Sequence, residues 1–192
     1  MARAKRWDLL NATYPDLAEM TVLDLGGRPE AWRVAPVKPA RLIVWNVFSQ
    51  DASEAWIETA VEDCCGATPP DVDLIYSNSV IEHVGGHWRR ERLAETVRSA
   101  PHYWVQTPNR YFPLEPHFLF PWLQHLPLKL RQAIVTRWPL GHGVDVADRE
   151  ALARALSIEL LSLTELRFYF PEAEIYREKV CGLTKSFIAF RR

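Results

Sequence analysis

Apolar positions along the chain fall into short runs separated by segments with helical spacing. TVLDL (21–25), RLIVWNV (41–47), DVDLIYS (71–77) and HYWVQ (102–106) are rich in β-branched and aromatic residues and are bounded by Gly, Pro, Asn or Asp. That is the pattern of strands buried on both faces. Before the first run, 4–14 places Trp7, Leu10 and Tyr14 on one side of a helix that Pro15 stops. A short helix is predicted over 29–34, with Pro29 in its first turn and Pro36 and Pro39 beyond its end. Segment 53–64 carries both patterns, and the alternation in WIETAV favours a third strand at 56–61. Helices are predicted at 80–84 and at 88–98, the latter with Leu93, Ala94 and Val97 on one face. Further helices follow at 148–156, with Asp148 as N-cap, and at 163–170, capped by Ser162 or Thr164. Strands at 174–180 and 186–191 close the chain, with the turn at Gly182. The alternation of strand and helix, ending in a hairpin, predicts an open, mostly parallel α/β sheet with an antiparallel C-terminal edge.

Residues 110–143 break this pattern. Seven of the fourteen prolines lie between Pro101 and Pro139, interleaved with Tyr111, Phe112, Phe118, Phe120, Trp122 and Trp138. Short helical pieces are predicted at 118–125 and 128–138. An apolar, proline-punctuated insert after a fifth strand suits a lid or substrate wall. The stretch 117–138 also mixes Trp, Phe and Leu with Lys129, Arg131 and Arg137, so a peripheral membrane contact through it is a further expectation.

Composition narrows the class. A chain of 192 residues with 48% hydrophobic and 24% charged residues is expected to form one globular domain, 1–192. A net charge of -1 leaves no electrostatic footprint for nucleic acid. The basic residues near the ends (Arg3, Lys5, Arg6; Arg191, Arg192) read as solvated tails. Cys64, Cys65 and Cys181 make a poor disulfide framework and fit no zinc spacing. Reduced thiols, a cytoplasmic location and no metal are therefore expected. The first residues lack the apolar region of a signal peptide, and no apolar run reaches the ~18 residues of a membrane span.

Candidate chemistry sits where the strands end. In open α/β sheets, ligands bind beyond the carboxyl ends of the strands, near the switch in strand order. Asp24-Leu25-Gly26-Gly27 ends the first strand, and its glycines let the backbone approach a ligand. Asn46 ends the second strand, where an adenosine site places a group for the ribose hydroxyls. Asp63 follows the third strand and suits an adenine amino group. Ser77 and Asn78 end the fourth.

Motif by motif, the sequence resembles the class I S-adenosylmethionine (SAM)-dependent methyltransferases of the methyltransferase-11-like group. VLDLGG resembles their first motif, acid-x-Gly-x-Gly-x-Gly, and VEDCCG the segment carrying an acid near the adenine. DVDLIYSNSVIEHV, the most specific match, resembles the strand beneath the methionine moiety. YWVQTPN and EIYREKV…KSFIAFRR resemble the last three strands. The resemblance implies a Rossmann-like sheet of about seven strands. It further implies SAM as cofactor, S-adenosylhomocysteine (SAH) as product, and methyl transfer to a small-molecule or sugar-like acceptor on oxygen. Asp24, Gly26, Gly27, Arg28, Asn46, Asp63, Ser77 and Asn78 are the expected cofactor contacts, with Arg28 placed to pair the methionyl carboxylate. For a general base the candidates are His117, Glu115 and His83, with His87 nearby. Two departures stand out. Arg28 and Glu30 replace the second and third glycines, and Asn46 replaces the usual acid. They leave a second class open: a non-catalytic nucleotide-binding or scaffold protein on the same fold. A dinucleotide oxidoreductase is disfavoured because Gly-x-Gly-x-x-Gly is absent.

Overall fold

The computed structural model describes residues 2–138 and 148–192. Five strands run parallel: β1 (Thr21–Leu25), β2 (Arg41–Asn46), β3 (Ile57–Val61), β4 (Leu74–Asn78) and β5 (His102–Pro108). A two-residue pair, β6 (Leu114–Glu115) and β7 (Phe120–Pro121), lies apart from them. The terminal strands β8 (Glu174–Val180) and β9 (Leu183–Arg191) complete a seven-stranded sheet in the order β3-β2-β1-β4-β5-β9-β8. β9 alone runs opposite to the other six strands, pairing antiparallel with both β5 and β8. The ambiguous third segment is a strand, as its alternation predicts.

Side chains alternate across the sheet and feed two cores. Leu23, Leu25, Ile75 and Val105 pack beneath α3 (Gly86–Arg98) and α6 (Leu163–Tyr169). Val22, Leu42, Leu74 and Trp104 pack beneath α1 (Ala2–Thr13) and α2 (Pro29–Arg33), against Trp7, Leu10 and Trp32. Both faces of the central strands are thus covered, which explains why they read as continuous apolar runs. Ser162 caps α6: its hydroxyl accepts from Glu165 N, and Glu165 returns a bond to Ser162 N.

The insert between β5 and α6 carries α4 (Leu128–Arg137) and α5 (Asp148–Ser157), with a small core of Phe118, Leu123 and Val135. Its base is a narrow stem. Asn109 bridges Leu161, Arg110 N donates to Leu161 O, and the Arg110 guanidinium reaches Leu160 O at 2.7 Å and Glu165 at 2.9 Å. Residues 139–143 of the expected lid lie outside the described residues. Leu119, Trp122, Leu128 and Leu130 are exposed on this insert. Among the described residues, no helix is long and apolar enough to cross a membrane.

Two predicted helices are corrected. Segment 80–84 is a turn closed by His83 N on Val80 O, and helix begins only at Gly86. Gly85 and Gly86, at φ 81° and 64°, break the helical path. Segment 118–125 is a turn, strand β7 and one 3-10 turn at Leu123–His125, because Leu119 and Trp122 adopt left-handed backbone. The closing hairpin is longer than expected: β9 starts at Leu183, and Cys181 shares the turn with Gly182.

Candidate functional site

The strand order reverses between β1 and β4, and a crevice opens at their carboxyl ends. Asp24 sits at its floor. The residue is 2% exposed, its Oδ2 accepts from Trp32 Nε1 at 2.8 Å, and its Oδ1 has no partner. Burial pushes this carboxyl up to about 7 from its ordinary 3.8, partly offset by the indole. At Gly27 a Cβ would lie 1.8 Å from Asp24 Oδ2, so any larger residue must displace the Asp24 carboxylate. Gly26 holds φ 72°, and a Cβ on it would press on Val80 at 2.6 Å. Arg28, by contrast, has an ordinary extended backbone (φ -138°), and Glu30 lies in α2, paired with Arg33. Of the three motif glycines, only Gly26 is present; the backbone also uses Gly27 outside the motif, and the two replaced positions, Arg28 and Glu30, do not require glycine.

Two cavities meet at Gly26. One, of about 250 Å³, runs along the ends of β2, β3 and β4 and is lined by Trp45, Asn46, Asp63, Val80, His83 and Arg89. The other, of about 270 Å³, lies under α1 and is lined by Arg6, Asp24, Gly27, Arg28, Tyr76 and Asn78. Seven of the eight expected contacts therefore border one crevice. Ser77 does not. It is fully buried, lines neither cavity, and its hydroxyl has no partner. Its side chain points into the sheet's packing because β4 alternates: Tyr76 and Asn78 take the cavity side.

The polar groups are already engaged in part. Asn46 donates to Gly27 O at 2.9 Å and accepts from Val47 N at 2.8 Å, so its amide braces the glycine loop. Asp63 accepts from Cys65 N and takes both of its contacts with Arg89 at 2.9 Å; these hold its carboxyl below the usual range. Arg28 stacks over the Phe48 ring at 5.5 Å. Arg6 pairs with Glu178 at 2.7 Å and donates to Asn78. Sequence reading placed Arg6 in a solvated tail. Its contacts are with β4 and β8, far along the chain, and no local signal marks it.

The proposed bases separate into distinct roles. Glu115 is 3% exposed, and its carboxylate accepts from His117 N, Phe118 N and the His117 ring. It fixes the turn that follows it, Pro116 to Leu119, and borders neither of these two cavities. His117 Nδ1 stands 2.7 Å from Glu115 Oε1, and its ring meets His83 edge-on at 4.8 Å between centroids. His83 lines the first cavity. Crowding by protein atoms, then His117, pulls its imidazole down to about 4, so it is neutral at pH 7 and a weak proton acceptor. His87 turns to α6, with Nδ1 3.0 Å from Tyr169 Oη. Glu82, missed in the sequence, is fully buried beside this pair. Its Oε2 accepts from Thr107 at 3.0 Å, and burial pushes the carboxyl up to about 7.

A seven-stranded sheet in this order, with one antiparallel strand and a crevice at the β1/β4 switch, is the class I SAM-dependent methyltransferase fold. Solved structures agree. An S-adenosylmethionine dependent methyltransferase from Mesorhizobium loti superposes with a TM-score of 0.61 at 14% identity, covering 96% of both chains. The Burkholderia thailandensis 1,6-didemethyltoxoflavin-N1-methyltransferase, solved with 1,6-didemethyltoxoflavin and SAH, gives 0.61 at 9% identity over 98% of this chain and 76% of its own. The N-terminal domain of EvdMO1, in the presence of SAH and D-fucose, gives 0.58 at 13% identity, covering 99% and 82%. No protein-family model matches the sequence. No curated protein matches it either.

Proposed function

We propose that this chain binds SAM in the crevice at the β1/β4 switch and transfers its methyl group to a small, hydroxyl-bearing acceptor of sugar-like character. One observation carries the reading: a carboxylate, Asp24, is buried with one oxygen unpartnered on the wall of the cavity under α1. A buried acceptor without a donor is costly, and an ammonium-bearing ligand relieves it. The donor set fits the rest of the cofactor. Arg28 and Arg6 border the Asp24 cavity and supply cationic donors for a carboxylate. Asp63 borders the other cavity as an acceptor for an exocyclic amine, between the apolar walls Trp45 and Val80. Neighbours on this fold are solved with SAH and with small molecules as different as 1,6-didemethyltoxoflavin and D-fucose.

SAM supplies the reactive methyl on its sulfonium; the chain's part is alignment. The insert that carries His117 supplies one wall for the acceptor, and Gly26 lets the backbone come close on the other side. The test is calorimetry with SAH on the wild type and on Asp24→Asn. Micromolar binding, weakened about tenfold or more by the substitution, supports the reading. Absence of binding at millimolar SAH overturns it.

A second reading has its own support. Both ends of the Asn46 amide are occupied by Gly27 O and Val47 N. The ribose contact that an acid makes at this position is thereby weakened, as in a non-catalytic nucleotide-binding protein. SAH binding without methyl transfer to any of a panel of hydroxyl and amine acceptors favours that reading.

A further inference from the structure

The geometry points to a divalent transition-metal site at the rim of the crevice, formed by Glu82, His83 and His117, whose open coordination positions take the oxygen atoms of the methyl acceptor. One ligand atom from each of the three residues lies within 4.8 Å of the other two. A single ion bonded at ~2.0–2.2 Å requires these atoms to close in, which rotation of the exposed His83 side chain provides.

Three further observations fit a metal better than a chance cluster. Glu82 is fully buried with Oε1 unpartnered, while Thr107 holds the other oxygen in place. Burying such a group without a partner is costly unless something binds it. His117 is gripped through Nδ1 by the buried Glu115, which leaves Nε2 as the outward nitrogen. A carboxylate fixing the far nitrogen is the usual support of a metal-binding histidine, since it sets the tautomer and the ring's aim. The Glu115 carboxylate also accepts two backbone N–H groups, so the whole turn is built to position His117. Finally, the two histidine rings meet at 90°, edge to face, from two separate loops that the fold has brought together.

The ligand chemistry selects the ion. Two imidazoles and one carboxylate suit Zn²⁺, Fe²⁺ or Mn²⁺, whereas Mg²⁺ and Ca²⁺ prefer all-oxygen shells. Three protein ligands leave positions open, as in catalytic rather than structural sites. A second group, Asp63 with Cys64 and Cys65, is also compact. Its carboxylate is already committed to Arg89 and Cys65 N, so it is the weaker candidate. An acceptor hydroxyl bound at the open position loses its proton to solvent more readily. With SAM bound, the acceptor oxygen would form the O–CH3 bond as the S–CH3 bond breaks, and the electron pair of that bond would return to sulfur, giving neutral SAH; Glu82, His83 and His117 would hold the ion that lowers the acceptor's proton affinity. Only this last role rests on the methyltransferase reading; the site itself does not.

The test uses the full chain, stripped with a chelator and titrated with Co²⁺ by visible absorption and with Zn²⁺ and Mg²⁺ by calorimetry. One equivalent of Co²⁺ with a visible d–d band is expected, with Zn²⁺ bound much more tightly than Mg²⁺. His117→Ala and His83→Ala should each weaken Zn²⁺ at least tenfold. Glu115→Gln should weaken it about tenfold to hundredfold through His117 alone. Circular dichroism confirms that each variant is folded, and the exposed His83 gives a variant that leaves the core untouched. The proposal is overturned if the wild type gives no Co²⁺ band, or if both histidine variants bind like the wild type. A thiolate-to-cobalt charge-transfer band that Cys64→Ser and Cys65→Ser abolish also overturns it, by moving the ion to the other group. SAH calorimetry with chelator present is read separately. SAH binding without metal binding rejects the metal site alone, and metal binding without SAH binding rejects the cofactor reading alone.

Discussion

Asp24 and Gly27 form one unit, and each explains the other. The carboxylate needs the space that Gly27 leaves, and the indole of Trp32 needs the carboxylate. Gly27→Ala should therefore displace Asp24, break the Trp32 bond and destabilise the fold by roughly 1–3 kcal/mol, measured by urea unfolding. An unchanged midpoint would show that the loop relaxes freely. The raised carboxyl gives a pH prediction with a definite sign. Folded Asp24 holds its proton up to about 7, whereas the unfolded group releases it near 3.8. The folded state thus binds more protons between these values, so this group's contribution to stability is present below the lower value and is lost as pH rises through the upper one. Asp24→Asn removes the effect while its amide oxygen still accepts from Trp32. The variant's stability relative to wild type should rise between pH 4 and pH 8, by up to about 4 kcal/mol. A constant difference across that range would place the carboxyl in contact with solvent.

Elements show most clearly what the sequence could and could not carry. Continuous apolar runs located β1, β2, β4 and β5, because both faces of a parallel sheet are buried and the pattern is local. The Ser162 cap was legible for the same reason: serine with glutamate three residues on is a local device. Ser162→Ala should cost about 1 kcal/mol in chemical denaturation and leave SAH affinity unchanged. A larger loss, with weakened SAH binding, would mean that the α6 cap reaches the crevice. Segment 80–84 misled because its composition is helical, while Gly85 and Gly86 override it with positive φ. Seven of the eight expected residues border the two cavities because they end strands, whereas Ser77 lines neither, since a one-residue shift along a strand turns a side chain to the other face. Arg6, Glu82 and the grip of Glu115 on His117 were not legible as parts of a site. Each acquires its role from partners distant in the chain or from burial that only the folded chain confers.

At the scale of the molecule, the sheet carries an insert that is tied to it at the stem, through Glu159, whose N donates to Glu82 O and whose carboxylate pairs with Arg90, and at the His83–His117 contact. Both cores of the sheet are extensive; among the described residues, the insert's own core holds Phe118, Leu123 and Val135, with Phe120, Leu126, Ile134 and Ile158 packed against it. Segments with few buried apolar contacts open at low free energy, and function that needs access draws on such segments. Arg110, at the stem, is one of these ties. Its guanidinium spans Leu160 O and Glu165, tying the outgoing chain to the returning one just before α6. Charge-assisted bonds of this kind contribute roughly 1.5–3 kcal/mol when half-buried. Arg110→Ala should raise amide exchange across 114–135 roughly tenfold or more, while protection in β1, β4 and β5 stays at the wild-type level. Equal acceleration in the sheet would mean that insert and sheet unfold as one cooperative unit. Exchange unchanged in both would place the hinge elsewhere, at the Asn109 to Leu161 bridge. Because His117 rides on the insert and His83 on the sheet side, the same variant separates the two histidines without altering either. A metal bound between them should then slow exchange in the wild type and do so less effectively in the variant.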